Sequence, residues 1–230
     1  MRQQSKGKLI VIEGGDGSGK GTQSALLKTY FEEHAIPYAY VDFPDYDSIY
    51  GKLIGKFLRG EFGTIEEVSP YLVSTIFALD RSLVKTQIET YLEEGKIVLA
   101  NRYVTSNIAH QGSKFTNKEE LNKFIEWIKN LEYTILEIPK EDIVIYLHVP
   151  WQIALELTRT KESRAYLKGN SEDIQEKDEK HRQESENMYK YLAETNRHWH
   201  TLDCTKNGTI LSKEEIHRKI VTDLQNSAII

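Results

Sequence analysis

The 230-residue chain has almost no cysteine, no excess of positive charge and no long apolar run. Cys204 is the only cysteine, so an internal disulfide is excluded and a reducing compartment is expected. Acidic residues outnumber Lys and Arg by 35 to 30, which argues against a nucleic-acid or acidic-membrane partner, because both favour a broad basic surface. Any anionic ligand must therefore be held by a local cluster of Lys and Arg.

The chain also lacks the segments that direct a protein into or across a membrane. Residues 1–8 contain no apolar core of signal-peptide length, and no uncharged stretch is long enough to cross a bilayer. These absences predict a cytoplasmic protein without a membrane partner. The length fits one domain, residues 1–230, and no internal repeat is visible.

The most informative segment is LIVIEGGDGSGKGT at residues 9–22. An apolar run enters a glycine-rich turn that ends at Lys20, and a helical pattern follows. Such a turn binds phosphate, since its backbone N–H groups face inward, its lysine reaches the β/γ-phosphates and the positive end of the helix points at the same anion. We therefore predict Lys20 as a catalytic residue. The predicted ATP-binding residues here are Gly14, Gly15, Gly17, Ser18, Gly19, Lys20, Gly21 and Thr22.

Short apolar runs alternate with longer helical patterns, which predicts an α/β fold with a parallel sheet of five strands flanked by helices. The predicted strands are rich in Val, Ile and Leu and span residues 8–13, 38–43, 96–100, 143–149 and 200–203. The predicted helices span residues 20–34, 49–59, 69–94, 105–112, 118–130, 151–159, 171–195 and 213–225. The charged run 176–186 is interpreted as a solvated helix face.

Residues 160–171 are charged, contain Gly169 and lie between two helical patterns, so they are predicted to form a mobile lid over the sheet. Arg159 precedes this segment and Arg164 lies within it. Arginines on a closing segment can neutralise a phosphoryl group during transfer while water is excluded. Arg164 is therefore a predicted catalytic residue and Arg159 a predicted ATP-binding residue, although surface solubility would explain either one alone.

Ligands of a doubly wound sheet collect at the carboxyl ends of its strands. Asp16 lies in the loop after the first predicted strand, and Phe43 and Tyr46 end and follow the second. The third predicted strand is followed by Asn101 and Arg102. We therefore expect these residues to surround one site.

Helical residues could hold a flat heteroaromatic base at this site. Phe77 and Arg81 are four residues apart, so they share one helical face. The ring can stack on a base while the guanidinium bonds its edge, although Phe77 alone would equally suit the core. Two further pairs at the same spacing, which suit either a pocket wall or a solvated helix surface, are Ser106 with His110 and Asn107 with Gln111.

Together these segments resemble the thymidylate kinases, within the nucleoside monophosphate kinases. The similarity runs from Leu9 to about Ile220. Its most specific marks are FPDY at 43–46 and NRYVTSNIAHQG at 101–112, supported by IEGGDGSGKGTQ at 12–23, FALDR at 77–81 and LDCT at 202–205. The resemblance implies a P-loop NTPase-type fold, a homodimer, and transfer of the γ-phosphoryl of ATP to dTMP with Mg²⁺ as cofactor.

The resemblance also implies roles for single residues. Asp16 would receive the 3′-hydroxyl of the acceptor sugar, Phe77 would stack on thymine, and Arg81 would reach the edge of the base. Arg102 would hold the acceptor phosphate and act in catalysis. The other substrate-binding residues that it implies are Phe43, Tyr46, Ser106, Asn107 and Gln111.

The chain departs from the family pattern at four positions. Gly21 replaces the usual Ser or Thr, and Asn101 replaces an Asp before the arginine. Asp45 lies where relatives often carry Arg, and His110 where many carry Tyr. Because an amide brings no charge to magnesium, Asn101 is predicted to take only an indirect part in holding the ion, which would be held mostly by the ATP phosphates.

Two other functions remain open on sequence grounds. A kinase for another monophosphate, such as AMP or dUMP, is supported by the GKGTQ run at 19–23 and by the altered Asp45 and His110. A nucleotide-dependent switch or binding module would also use a phosphate loop. A GTPase-type switch would need an N-K-x-D element, which the sequence lacks.

Overall fold

The computed structural model describes residues 6–159 and 173–230. Its main strands are β1 (Lys8–Glu13), β2 (Tyr38–Asp42), β3 (Ile97–Asn101), β4 (Ile143–His148) and β5 (Trp199–Asp203). They form one sheet in the order β2-β3-β1-β4-β5, and every neighbouring pair is parallel. The predicted five-stranded parallel sheet is therefore confirmed.

Helices cover both faces of the sheet in the described ranges. They are α1 (Lys20–Glu33), α2 (Ile49–Leu58), α3 (Pro70–Ser82), α4 (Lys85–Glu93), α5 (Val104–Gly112), α6 (Lys118–Lys129), α7 (Trp151–Arg159), α8 (Ile174–Lys177), α9 (Glu179–Thr195) and α10 (Lys213–Asn226). A π-helix, Asn130–Ile135, follows α6, and β6 (Thr205–Lys206) pairs with β7 (Thr209–Ile210) in a small antiparallel ladder. None of the helices in the described part of the chain is long and apolar enough to span a bilayer.

The core lies in two layers, one on each face of β1. Leu9 and Val11 point into the layer that contains side chains of α5, α6 and α9, whereas Ile10 and Ile12 point into the layer shared with α1 and α10. All four side chains are fully buried. A central strand buried on both faces reads as a continuous apolar run, which is why this segment was recognisable in the sequence.

The strand register brings three carboxyl ends to one edge of the sheet. Asn101, the last residue of β3, lies beside Ile12 of β1 and beside Asp42 of β2. The phosphate loop follows β1, Phe43 follows β2 and Arg102 follows β3. The segments that were expected to surround one site therefore leave the sheet side by side.

The long helix predicted over 69–94 is wrong, because the chain forms α3 and α4 with a break at Leu83 and Val84. The N–H of Leu83 donates to Asp80 O at 3.3 Å, and the N–H of Val84 donates to Arg81 O at 3.2 Å. These bonds between residues three apart tighten and end the last turn of α3. The apolar pattern continues through the break, so periodicity alone did not reveal it.

The helix predicted over 171–195 is also divided, into α8 and α9. Asp178 separates them with an extended backbone, and its side chain accepts the N–H of His181 at the start of α9. Asp173 caps α8 in a capping box with Glu176. An aspartate at each of these positions is a helix-start signal, which is why one predicted helix forms as two. The predicted lid, 160–171, lies outside the described residues.

Candidate active site

The phosphate loop, residues 14–19, has one fixed side and one open side. Gly17 has φ of +93°, and a Cβ there would lie 2.1 Å from the carbonyl oxygen of Ala154 in α7. This residue therefore has to be glycine for the loop to pack on the helix. A Cβ on Gly15 or Gly19 would meet no atom within 4 Å. The open side has the room that a phosphate group needs.

Lys20 begins α1 and is folded back over the loop. Its Nζ donates to Gly14 O at 2.7 Å and to Gly15 O at 2.9 Å, and the side chain is buried. The ammonium therefore lies beside the N-terminus of α1, which carries a partial positive charge of its own. Gly21 and Thr22 are exposed on the first turn of the helix. Both positive groups thus face the same small volume.

A cavity of about 250 Å³ opens beside the loop. It is lined by all nine residues that were predicted to bind the acceptor, namely Asp16, Phe43, Tyr46, Phe77, Arg81, Arg102, Ser106, Asn107 and Gln111. The structure brings them together, and the roles assigned to them remain predictions. The lining also includes Asp42, Asp173 and Gln175, which sequence reasoning missed. Asp42 could have been found as the last residue of a strand at the ligand-binding edge.

Arg102 is held in place by groups from two elements. Its guanidinium forms an ion pair with Asp16 of the phosphate loop through Nη2. Nη1 lies 3.1 Å from His110 Nε2 and 3.4 Å from Ser106 Oγ, both on α5. Desolvation would raise the pKa of the Asp16 carboxyl, but the charges of Arg102 and Lys20 outweigh it and hold that pKa far below its usual value. Asp16 is therefore ionised and can accept hydrogen bonds.

Arg81 has a buried partner that the sequence did not reveal. Its guanidinium forms a bidentate ion pair with Glu132, in which Nε is 2.6 Å from Oε2 and Nη2 donates to Oε1. Asn107 Nδ2 donates to Glu132 Oε1 at 3.1 Å and to Ser74 O at 3.0 Å. Glu132 is fully buried on the π-helix, in a segment whose sequence carries no motif. It fixes the orientation of both predicted base-binding residues.

Glu13, the last residue of β1, ties the strand to the start of α5. Its buried carboxylate accepts the N–H of Tyr103 at 3.1 Å and the hydroxyl of Thr105 at 2.6 Å. It also accepts the hydroxyls of Ser106 at 2.6 Å and Tyr189 at 3.1 Å. Four donors satisfy this carboxylate, so its role is to hold β1, α5 and α9 together. The proton of Ser106 is consequently directed at Glu13, although Ser106 lines the cavity as predicted.

Asn101 and Asp42 lie side by side at the carboxyl ends of β3 and β2. Asn101 Nδ2 donates to Asp42 Oδ1 at 2.8 Å, and Tyr40 OH donates to Asp42 Oδ2 at 3.1 Å. Asn101 Oδ1 is buried and accepts no hydrogen bond from the residues that the structure describes. Within the same residues, no group of three or more His, Cys, Asp or Glu side chains could hold a metal by itself. The edge thus offers one carboxylate and one unused amide oxygen.

The interpretation of residues 176–186 as a solvated helix face is wrong. His181, Arg182 and Ser185 are buried on one side of α9. Arg182 Nε donates to Glu176 O at 2.6 Å, and Nη1 lies 3.3 Å from Asp16 O in the phosphate loop. Helical spacing puts these three residues on one face, so a run of charged residues does not by itself indicate a solvated face. Arg182 is therefore a cation at the loop that sequence reasoning missed.

The two arginines predicted from the lid cannot be compared with this geometry. Arg164 lies outside the described residues. Arg159 is the last residue of α7, and its side chain is outside the described part of the chain.

Known proteins match this chain over most of its length. The family model for thymidylate kinase matches residues 12–220. The chain is 34% identical over 214 residues to the thymidylate kinase of Fervidobacterium nodosum, covering 93% of this chain and 96% of the relative. It is 30% identical over 221 residues to the thymidylate kinase of Plasmodium falciparum, covering 96% and 91%. For that of Mycobacterium tuberculosis the identity is 31% over 186 residues, covering 80% and 85%.

A solved structure shares the fold. The thymidylate kinase of Candida albicans superimposes with a TM-score of 0.74 at 21% identity, covering 97% of this chain and 93% of that one. The resemblance found in the sequence, the P-loop NTPase-type fold and the assignment as an enzyme are confirmed by these matches. The chain belongs to the thymidylate kinase family and is a nucleoside monophosphate kinase, a phosphotransferase.

Proposed function

We propose that the chain transfers the γ-phosphoryl of ATP to the 5′-phosphate of dTMP, giving dTDP and ADP. The observation that carries this proposal is the cavity that joins the predicted acceptor residues to the phosphate loop through the ion pair of Asp16 and Arg102. Donor and acceptor sites that share one loop hold two nucleotides in contact, and positioning of this kind supplies much of the catalysis in phosphoryl transfer.

The donor phosphates occupy the open side of the phosphate loop. Gly15 and Gly19 leave that side clear, and the N-terminus of α1 faces it. Lys20 exchanges its bonds to Gly14 O and Gly15 O for the β/γ-phosphates, which are stronger acceptors because they are charged. The ammonium then stabilises the negative charge that develops on the transferring phosphoryl group.

The thymine base lies between Phe77 and the polar wall of the cavity. Arg81 has only donors and suits a carbonyl oxygen of the base. The amide oxygens of Asn107 and Gln111 are buried and accept no hydrogen bond from the described residues, so they suit a ring N–H. Thymine offers both groups on one edge, whereas the ring nitrogen of cytosine at that position accepts. The set of donors and acceptors therefore favours a base of the thymine or uracil type.

The acceptor phosphate binds Arg102, and the sugar hydroxyl binds Asp16. Arg102 presents a planar fork that suits phosphate, and it is already fixed by Asp16 and His110. Because the acceptor oxygen is part of a phosphate, its attack needs no strong base. The residues have only to hold the two phosphates in line and to neutralise their charge.

Magnesium fits the edge formed by Asn101 and Asp42. The unused oxygen of Asn101 and the carboxylate of Asp42 suit an ion that prefers oxygen ligands and retains water. When bound to the ATP phosphates, the ion neutralises their charge during transfer. Gly21 offers no hydroxyl, so we propose that Asn101 acts indirectly, through water, and that the phosphates supply most ligands.

We further propose roles for the two arginines predicted from the lid segment, residues 160–171, which lies outside the described residues. Arg164 would neutralise the transferring phosphoryl group and Arg159 would contact ATP. Arg182 already lies at Asp16 of the loop, so the lid arginines would add to an existing cation. Replacing Arg164 by Lys, which keeps the charge but loses the planar fork, is expected to lower kcat more than it changes KM.

The whole chain, 1–230, is proposed to act as one cytoplasmic kinase domain in a homodimer. Apolar side chains exposed on α2 and α3, among them Ile49, Leu53 and Leu72, support a second copy as the covering surface. Light scattering on the purified protein distinguishes a dimer of 26.6 kDa chains from a monomer.

A coupled assay of ADP release tests the proposed reaction. ATP and magnesium are held constant while dTMP, dUMP, AMP, CMP and no acceptor are compared, with Lys20→Ala as the variant that lacks the loop cation. Fast turnover with dTMP that falls by orders of magnitude in a folded Lys20→Ala protein is the expected result.

The same panel distinguishes the other functions. Fast turnover with AMP alone would replace dTMP as the acceptor while retaining the kinase assignment. Slow ADP release that does not depend on any acceptor would contradict the transfer reaction and favour a nucleotide-dependent switch.

A further inference from the structure

Two buried histidines lie directly behind Arg102. His110 Nε2 is 3.1 Å from Arg102 Nη1, and His110 Nδ1 is 3.4 Å from His181 Nε2. His181 Nδ1 is in turn 3.4 Å from Ser113 Oγ, which donates to His110 O at 2.8 Å. The rings are stacked with centroids 5.6 Å apart. A chain of polar contacts therefore runs from the guanidinium through α5 to α9.

The direction of every hydrogen bond in this chain follows from Arg102. A guanidinium has donors only, so His110 Nε2 must accept, and the proton of the neutral ring is on Nδ1. That N–H faces His181 Nε2, which also accepts the hydroxyl of Ser185 at 3.3 Å. His181 therefore carries its proton on Nδ1 and donates it to Ser113. One tautomer of each ring satisfies all of these contacts.

The surroundings keep both rings neutral. Desolvation and the charge of Arg102 hold the pKa of His110 well below its ordinary value, and desolvation with the charge of Lys114 lowers the pKa of His181 to about 4. The ring of Tyr189 on α9 packs edge-on against His110. The other charged groups that act on the two rings are Asp16 from the phosphate loop, Lys20 from the start of α1, and Asp178 and Arg182 from the α8–α9 region.

We infer that His110, oriented by His181, is a positioning residue that holds the Arg102 guanidinium for the acceptor phosphate. Asp16 fixes Nη2 from one side, and the lone pair of His110 fixes Nη1 from the other. Without that lone pair the fork could turn about its bond to Asp16. A protonated His110 would present a donor to a donor and repel Arg102. This inference rests on the proposed role of Arg102.

Two substitutions at His110 distinguish the effect of the nitrogen lone pair from the effect of the ring's shape. His110→Phe keeps a ring of similar size but removes the acceptor, and it is expected to raise KM for dTMP about tenfold while leaving KM for ATP unchanged. His110→Gln can offer an amide oxygen near the position of Nε2 and is expected to stay within about threefold of the wild type. His34→Phe, on the exposed side chain of His34, is the matched control and should leave both KM values unchanged.

The tautomers can be measured in the active wild-type protein itself. Nitrogen chemical shifts of ¹⁵N-histidine-labelled wild type at pH 7 should show the Nδ1–H form for both rings, with His110→Gln serving only to assign the signals. An Nε2–H form of His110 would overturn the inference whatever the KM values of the variants. A wild type inactive toward dTMP would defeat the proposed function, whereas an active wild type with an unchanged KM in His110→Phe would defeat this inference alone.

Discussion

At the residue scale, Phe77 and Arg102 act on different parts of the acceptor. The ring of Phe77 and the guanidinium of Arg102 line the same cavity. Phe77→Ala is expected to weaken base binding by about 1–3 kcal/mol, as for other base–aromatic stacks, and to raise KM for dTMP accordingly. Arg102→Ala should lower kcat as well, because the charge acts on a reacting phosphate. Steady-state kinetics with each nucleotide varied in turn would measure this, and an equal loss of ATP binding would contradict the assignment.

The buried ion pair of Arg81 and Glu132 should be essential to stability. Glu132→Gln leaves a buried guanidinium without a counter-charge, which costs about 3–5 kcal/mol when one partner of a buried pair is removed. Urea unfolding measures the loss. The exposed pair of Lys85 and Glu137 is the control, and Glu137→Gln should leave the urea midpoint almost unchanged, because solvent screens an exposed pair. Similar losses in the two variants would show that burial of the pair does not matter.

Asn101→Asp tests the proposed magnesium edge. The new carboxylate would lie beside that of Asp42, so the two charges repel unless a cation lies between them. We expect the variant to have a lower Tm than the wild type without magnesium and to need less magnesium for half-maximal rate. Thermal unfolding with and without the ion, together with a magnesium titration of the rate, measures both effects. Superimposable titration curves would leave Asn101 with no part in binding the ion.

At the scale of elements, the phosphate loop is held by α7 on one side and left open on the other. Gly17→Ala places a Cβ against Ala154 O at a positive φ, so it should destabilise the fold by about 2 kcal/mol or more. Gly15→Ala meets no atom and should leave unfolding almost unchanged, but its Cβ occupies the space proposed for phosphate and should weaken ATP binding. Denaturant midpoints and ATP titrations distinguish the two. Equal destabilisation by Gly17→Ala and Gly15→Ala would show that the side of the loop at Gly15 has no room for a Cβ.

The helices show where local signals were sufficient. The capping box of Asp173 and the cap of Asp178 depend only on residues 173–181, so the division between α8 and α9 is encoded in local sequence. The break at Leu83 and Val84 has no cap and no glycine or proline, so it was not predictable from local sequence.

At the scale of the whole molecule, the histidine pair couples stability to pH. The pKa of His181 is lowered to about 4, mainly by desolvation, whereas an unfolded histidine titrates near 6.5. Between these values the unfolded chain binds more protons than the folded chain. The contribution of His181 to the free energy of unfolding is therefore fully present above pH 6.5 and is lost as the pH drops toward 4. At about 1.4 kcal/mol per pKa unit, the loss is about 3 kcal/mol.

His181→Gln removes this contribution and should flatten the dependence, because the amide binds no proton. Urea unfolding of the two proteins between pH 4 and pH 7 measures the difference in slope. Parallel curves would contradict the neutral state of the buried ring.

Several features were determined by the sequence by itself, since each depends on neighbours along the chain. The phosphate loop follows from glycine spacing, the parallel sheet from buried apolar runs, and the pairing of Phe77 with Arg81 from helical periodicity. The motifs at 43–46 and 101–112 were sufficient to predict the family, and the matches to known proteins confirm that prediction. All nine residues that the sequence predicted to bind the acceptor line the cavity, whereas Asp42, Asp173 and Gln175 of the same lining were not predicted.

The partners of those residues were decided only by the tertiary structure. Glu132 meets Arg81 across 51 positions, Glu13 meets Tyr189 across 176, and Arg182 meets Asp16 across 166. No local pattern marks such pairs, because buried polar groups choose whatever partner the packing of distant elements brings within hydrogen-bond distance. The sequence thus determined the nine predicted residues that line the cavity, and the packing of α5, α9 and the π-helix decided which partners orient them.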